Sequence, residues 1–154
     1  MPSISSRPCG DQARGFTLIE MMIVVTVIAI LSAIVYPSYI RYVVRSNQQA
    51  ARSMLYAVAD RQEQFFLDNK SYAADLSTLG YADDTIYVGR DGQLSGADAD
   101  NLTYSLEISD SSATTWTVVA TPEGVQADRD TQCAELSLTS TGAREASGDG
   151  ENCW

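Results

Sequence analysis

The chain has 154 residues, 10 Lys and Arg against 20 Asp and Glu, no His, and a formal charge of −10. The length fits one domain of ordinary size, and the acidic balance disfavours a protein that grips nucleic acid through its phosphates. With no His and three Cys, His-based catalysis is excluded and the usual zinc sites lack ligands. The charge is also split: residues 1–82 carry 7 basic and 6 acidic side chains, whereas residues 83–154 carry 3 and 14.

The first element is apolar. From Met21 to Tyr36 only Thr26 and Ser32 fall outside the apolar set, and Phe16-Thr17-Leu18-Ile19-Glu20 extends the run to 21 residues. As a helix this is ~31 Å at ~1.5 Å per residue, against a bilayer core of ~30 Å. Arg7 and Arg14 ahead of it would keep the N-terminus cytoplasmic. A secretory signal peptide has a shorter apolar region than this. A plain anchor leaves Glu20 unexplained, because a carboxylate in hydrocarbon is costly and marks function.

Gly15-Phe16-Thr17-Leu18-Ile19-Glu20, behind a polar leader with Arg14 at the junction and ahead of a membrane-length run, resembles the processing site of type IV prepilins. The resemblance implies that residues 1–15 are a leader, cut after Gly15 by a prepilin peptidase that also methylates the new amino group of Phe16. Glycine suits such a site because it has no side chain to obstruct entry into a cleft. Cys9 would leave with the leader. Glu20 lies one helical turn beyond Phe16 on the same face, so its carboxylate can reach the Phe16 amine of its own chain or of a neighbour. That makes Glu20 an assembly residue. Pro37 lacks an N–H and crowds the carbonyl of Ala33, so loosening of the helix for assembly is its implied role.

Beyond Pro37 the pattern becomes amphipathic. Val43, Ala50, Met54, Val58 and Phe65, widened by Ala51, Leu55 and Phe66, recur at helical intervals, and no Gly or Pro interrupts residues 38–68. One helix from Phe16 to about Asp68 is expected, its segment 16–37 membrane-spanning and polymerising. Arg41, Arg45 and Arg52 share a separate stripe, a solvated face that in a filament would lie near acidic loops of neighbouring heads.

The head, residues 38–154, begins with that second helical half. Residues 71–100 read as an irregular connection held by Tyr72, Leu76, Leu79 and Tyr81, with Thr85–Val88 as a short edge strand. Asp91, Asp98 and Asp100 lack the ligand order of an EF-hand calcium loop and read as a solvated acidic segment, with a calcium site as the alternative. Leu102-Tyr104-Leu106-Ile108 alternates as a strand, followed by Trp116-Val118-Ala120 and by Leu136-Leu138. The expected fold class is α+β: a long N-terminal helix on a 3–4-stranded antiparallel sheet spanning 102–139. Leader removal would leave Cys133 and Cys153, an even count that in an exported domain reads as a disulfide, bounding the tail 133–153.

Cys133-x2-Leu-x-Leu-x3-Gly-x-Arg144 with Cys153-Trp154, together with Arg61-Gln-Glu-Gln-Phe-Phe66 and Tyr72 to Leu79-Gly80, is similar to the PilE group of minor pilins. The resemblance implies a structural subunit of a type IV pilus, a minor pilin supporting assembly, twitching motility and adhesion. It would sit single-pass in the bacterial inner membrane, head in the periplasm, before entering the extracellular fibre. The implied partners are the prepilin peptidase, other pilin subunits and the inner-membrane assembly platform. The major pilin, a DNA-uptake pilin and a type II secretion pseudopilin are alternatives; a DNA-uptake role would need Arg90, Arg129 and Arg144 to cluster. No nucleophile–base pair, phosphate loop or metal constellation is present in the sequence, so neither an enzyme nor a cofactor is expected.

Overall fold

A computed structural model of the chain describes residues 16–154, in two units: one ending at Tyr39, the other running Ile40–Trp154. Helix α1, Leu18–Asn69, contributes to both. Thr17 starts it: the Glu20 N–H donates to Thr17 Oγ1 at 3.3 Å and the Met21 N–H to the Thr17 carbonyl at 3.2 Å, the Thr-x-x-Glu spacing of an N-terminal cap. Lys70 ends it with φ +60°, its N–H on the Phe66 carbonyl and its ammonium on the Leu67 carbonyl, which satisfies the last turn's acceptors. Pro37 lies inside α1 and does not interrupt it.

In the first unit, every residue from 16 to 39 is exposed. The Thr26 hydroxyl donates to the Met22 carbonyl at 2.8 Å, so this threonine in the middle of the apolar run has its hydrogen-bonding need met inside the helix.

In the second unit α1 packs on an antiparallel sheet. The strands are β1 Thr85–Gly89, β2 Leu94–Ser95, β3 Leu102–Ser111, β4 Trp116–Pro122, β5 Leu136–Thr139 and β6 Arg144–Ala146, in the order β2-β1-β3-β4-β5-β6. The short helix α2, Gly124–Arg129, follows β4. The sheet therefore has six strands among the described residues rather than three or four. The two extra strands are two and three residues long, too short for a period of two to register in sequence. β1 is not at an edge, since β2 folds back on it through a turn at Gly92, where φ is +76°, a conformation that suits glycine. Register aligns Ile86, Leu106, Ala120, Leu136 and Ala146 in one row across five strands.

The core sits between that face and Ala51, Leu55 and Val58 of α1, all fully buried with Leu76, Val88, Tyr104, Leu106 and Val118. The helix is turned slightly from the expected stripe: Ala50, Met54 and Phe65 flank the core, while Asn47, Gln48 and Gln62 join its buried line. The side chains of Asn47, Gln48 and Gln62 each have a partner, as burial requires. Gln62 accepts from the Ala73 N–H at 2.9 Å and donates to its carbonyl at 3.0 Å, and Arg61 donates to the Leu79 carbonyl at 2.9 Å and stacks over Tyr81. These two residues fasten the connection after α1. Leu76 and Leu79 are buried as expected of anchors, with Tyr72 and Tyr81 packed against the core.

A second polar group ties α1 to α2 and β3. Asp130, just past α2, accepts from Gln48 at 2.8 Å on one oxygen and from the Tyr104 hydroxyl at 2.5 Å on the other. Gln126 donates to the Tyr104 hydroxyl and Asp130 Oδ2, both at 3.2 Å, and accepts from Asn47 at 2.8 Å. Burial, followed by the hydrogen bond to Asp130, pushes the Tyr104 phenol far above its ordinary value.

Cys133 and Cys153 form a disulfide. The tail returns against the start of this loop: the Gly148 N–H donates to the Cys133 carbonyl and the Gly150 N–H to the Gln132 carbonyl. A Cβ at Gly148 would lie 2.2 Å from the Gln132 oxygen, so only glycine permits that approach.

Two outcomes follow from this packing. Removing the bridge with Cys133→Ser/Cys153→Ser should cost about 2–5 kcal/mol, read as a lower urea midpoint by circular dichroism. Dithiothreitol should lower the wild-type midpoint similarly and leave the variant unchanged. For Tyr104, the folded phenol is harder to ionise than the unfolded one, so its contribution is complete below pH 10 and is lost as pH rises above it. Urea titrations between pH 9 and 11 should show this loss, and Tyr104→Phe should flatten the slope.

Candidate functional site

The described chain presents two surfaces with functional chemistry, and each lies within a single unit. The first is the N-terminal stretch. Phe16 is 79% exposed, and Leu18, Ile19, Met21, Met22, Ile23 and the other large apolar residues through Tyr36 are all at least 45% exposed. Among the described residues this is the one helix long and apolar enough to cross a membrane, and none of the apolar window is buried. Exposed apolar surface this continuous marks a lipid or protein interface. Glu20 lies in the first turn of α1, exposed, where a carboxylate suits the positive end of the helix. Gly15, Arg14 and Cys9 lie outside the described residues.

The second surface is a cleft of about 610 Å³ beside the second half of α1. Arg41, Arg45 and Arg52 line it from α1 and Arg129 from the end of α2, with Gln132, Cys133, Glu151 and Asn152 contributing from the disulfide-bounded tail. The arginine stripe read from the sequence is thus one wall of a concave site. Arg129 was not grouped with that stripe, because 77 positions separate it from Arg52 and only the return of α2 onto α1 brings them together. Arg90 and Arg129 do line a common small cavity, but Arg144 stacks over Tyr56 instead, so the three head arginines do not form one cluster.

The acidic segment behaves as a surface. Asp83, Asp84, Asp91, Asp98 and Asp100 are exposed, and Asp91 accepts from the Gln93 N–H at 3.1 Å within its own turn. Among the described residues no three His, Cys, Asp or Glu side chains gather as a metal site would require. Asp75, held below its usual value by hydrogen bonds from Thr78 and Ser77, closes a local turn. Sequence reading missed Asn47, Gln48, Gln62, Gln126 and Asp130 as organising residues. The available signal was Asn47-Gln48 at positions where an amphipathic stripe should have been apolar.

Residues 37–137 match the family described as type IV minor pilin ComP, DNA uptake sequence receptor, and residues 11–36 match the prokaryotic N-terminal methylation motif. Among curated relatives, the chain is 44% identical over 69 residues to the type IV major pilin protein PilA of Myxococcus xanthus, 45% of this chain and 31% of that protein. It is 37% identical over 67 residues to the type IV wide pilus major component PilA4 of Thermus thermophilus, 44% of this chain and 51% of that one. It is 34% identical over 62 residues to the type II secretion system core protein G of Escherichia coli, covering 40% and 43%. The match thus spans only about a third to a half of the length of these relatives. A solved type IV pilin from Shewanella oneidensis aligns with a TM-score of 0.40 and 19% identity over 71% of this chain and 97% of that one. The methylation motif, the ComP-type domain and the structural rather than enzymatic character of the relatives agree: the chain belongs to the type IV pilin family.

Proposed function

We propose that this chain is a minor subunit of a type IV pilus, cut after Gly15, N-methylated at Phe16 and polymerised through α1, which begins two residues later at Leu18. The observation that carries this reading is the exposed, membrane-length apolar run from Met21 to Tyr36 directly after Gly15-Phe16-Thr17-Leu18-Ile19-Glu20. Past the first turn its backbone groups are paired within α1 apart from the Ala33 carbonyl, which faces Pro37, as a lipid environment demands. Before assembly the subunit spans the inner membrane once, leader side in the cytoplasm and head in the periplasm. Its partners are the prepilin peptidase, the assembly platform and other pilins, and the fibre serves twitching motility and adhesion.

Glu20 is the docking residue. It follows Phe16 by four residues, and a charge without a partner in an apolar fibre core is far more costly than a paired one, so pairing of its carboxylate with a Phe16 amine selects register as well as attraction. Pro37 supplies a point where α1 lacks one backbone bond and can extend in the fibre. The minor assignment is supported by the description of the family matched over residues 37–137, against the major pilins among the relatives. A DNA-uptake role is the second reading, favoured by that same description and opposed by the acidic excess of residues 83–154.

Mass spectrometry of sheared pili should yield a peptide beginning at N-methylated Phe16, at low abundance relative to the main subunit. An intact Met1 leader retained in membranes, with no such peptide in pili, would refute the reading. Glu20→Ala should lower the amount of subunit in sheared pili at least about tenfold while leaving the membrane level unchanged. Wild-type incorporation of that variant would remove Glu20 from the mechanism. Binding of duplex DNA at low salt would favour the second reading.

A further inference from the structure

The cleft beside α1 concentrates positive charge on a head that is otherwise acidic. Arg41, Arg45, Arg52 and Arg129 line it against two carboxylates, Asp130 and Glu151, and both Asp130 oxygens are engaged by Gln48, Tyr104 and Gln126. Among the described residues, the side chains of Arg45 and Arg129 are exposed and make no ion pair or hydrogen bond. Gathering like charges is unfavourable unless an anion fills the site, and the planar guanidinium fork matches phosphate oxygens. A volume of about 610 Å³ is that of a small-molecule site.

The wall formed by α1 is amphiphilic. Ile40 and Val44 line the cleft where it begins, interleaved with Arg41 and Arg45. Arg41 follows Tyr36, the last residue of the apolar run, by five residues. A chain reaches at most ~3.6 Å per residue, so at whatever angle the two units meet, Arg41 begins within about 18 Å of that run's end. A phospholipid presents the matching groups at that level: hydrocarbon alongside the span and a phosphate just beyond it. An anionic headgroup suits the cleft better than a zwitterionic one, whose own ammonium competes with the guanidiniums for the phosphate. The tether raises the local concentration of headgroups, so a modest intrinsic affinity suffices. A long polyanion is disfavoured, because residues 83–154 carry 14 acidic side chains against 3 basic ones and repel it. A single phosphate needs only the cleft.

We infer that the cleft lined by Arg45, Arg52 and Arg129 binds the phosphate of an anionic phospholipid headgroup while the subunit is still in the membrane. The contact holds the head at the bilayer surface before assembly, and it rests on the membrane-spanning part of the pilus-subunit reading. Because Arg45 and Arg129 are exposed, the contact weakens as ionic strength rises.

The test uses the chain as recovered from membranes in a neutral detergent, titrated with phosphatidylglycerol or phosphatidylcholine. Native mass spectrometry reads the lipid retained on the subunit. Phosphatidylglycerol should be retained at least about tenfold more strongly than phosphatidylcholine, and Arg45→Gln/Arg129→Gln should weaken that retention at least about tenfold. Arg144→Gln, which removes a cation outside the cleft, should leave it within about twofold of wild type. An intact Cys133–Cys153 bridge on non-reducing gels and an unchanged circular dichroism spectrum establish that each variant folds. Equal retention of the two lipids, wild-type retention by the cleft variant, or an equal loss in Arg144→Gln overturns the inference. Inorganic phosphate should displace phosphatidylglycerol only in large excess; displacement at matched concentration overturns the inference and assigns the cleft to a free anion. Displacement by duplex DNA at low salt overturns it in favour of nucleic acid. A chain that alkaline carbonate strips from membranes is a different failure: it refutes the membrane-spanning reading, and the lipid contact falls with it.

Discussion

One constraint shapes the rest: a single helix, Leu18–Asn69, serves two environments with one backbone. An α-helix closes nearly all its hydrogen bonds internally, so past the first turn only the Ala33 carbonyl opposite Pro37 lacks a helical partner in the apolar stretch, and the side chains decide what surrounds each segment. Phe16 to Tyr36 offers apolar side chains on every face. From Ile40 the same helix offers only a stripe, Ala51, Leu55 and Val58, and the sheet covers it. Thr17 at the start and Lys70 at the end satisfy the terminal groups that the helix itself leaves open.

The head then depends on how firmly the second half of α1 is held. Apolar burial supplies most of the attraction, but the polar contacts supply the alignment. Gln62 and Arg61 fix the connection that leads to β1. Asp130 gathers Gln48, Tyr104 and Gln126, and the backbone N–H of Cys133 lies 3.4 Å from it. The group that locks α2 onto α1 is therefore also the floor of the arginine cleft, and it leads directly into the disulfide. A buried carboxylate with this many donors is tolerated because each desolvated lone pair is answered. The arrangement orders the wall from which Arg129 joins Arg41, Arg45 and Arg52.

Legibility in the sequence followed the length of the signal. The apolar run, the Thr-Leu-Ile-Glu start, the alternation of Tyr104 and Leu106, the Trp116-Val118-Ala120 face and the Cys133–Cys153 pair were all readable, because each repeats a period or carries a motif. β2 and β6 were not readable, because two or three residues contain no period and their strand state comes from the neighbour that pairs with them. α2 was missed for a similar reason: at six residues it has no apolar stripe, and its buried residue is Gln126. The helix face was displaced because Asn47, Gln48 and Gln62 are polar, and polarity in sequence does not disclose a buried partner.

By itself the sequence determined the family, the fold class and the division of labour along the chain. Those follow from local chemistry: a motif beside a membrane-length run, amphipathic spacing after Pro37, and an excess of acid confined to residues 83–154. Only the tertiary structure decided that the arginine stripe is the wall of a cleft, that Arg129 completes it while Arg144 does not, and that Asp130 is spent in the interior rather than displayed. These depend on which distant residues the return of α2 and the tail bring within hydrogen-bond range of α1. No spacing along the chain encodes that distance.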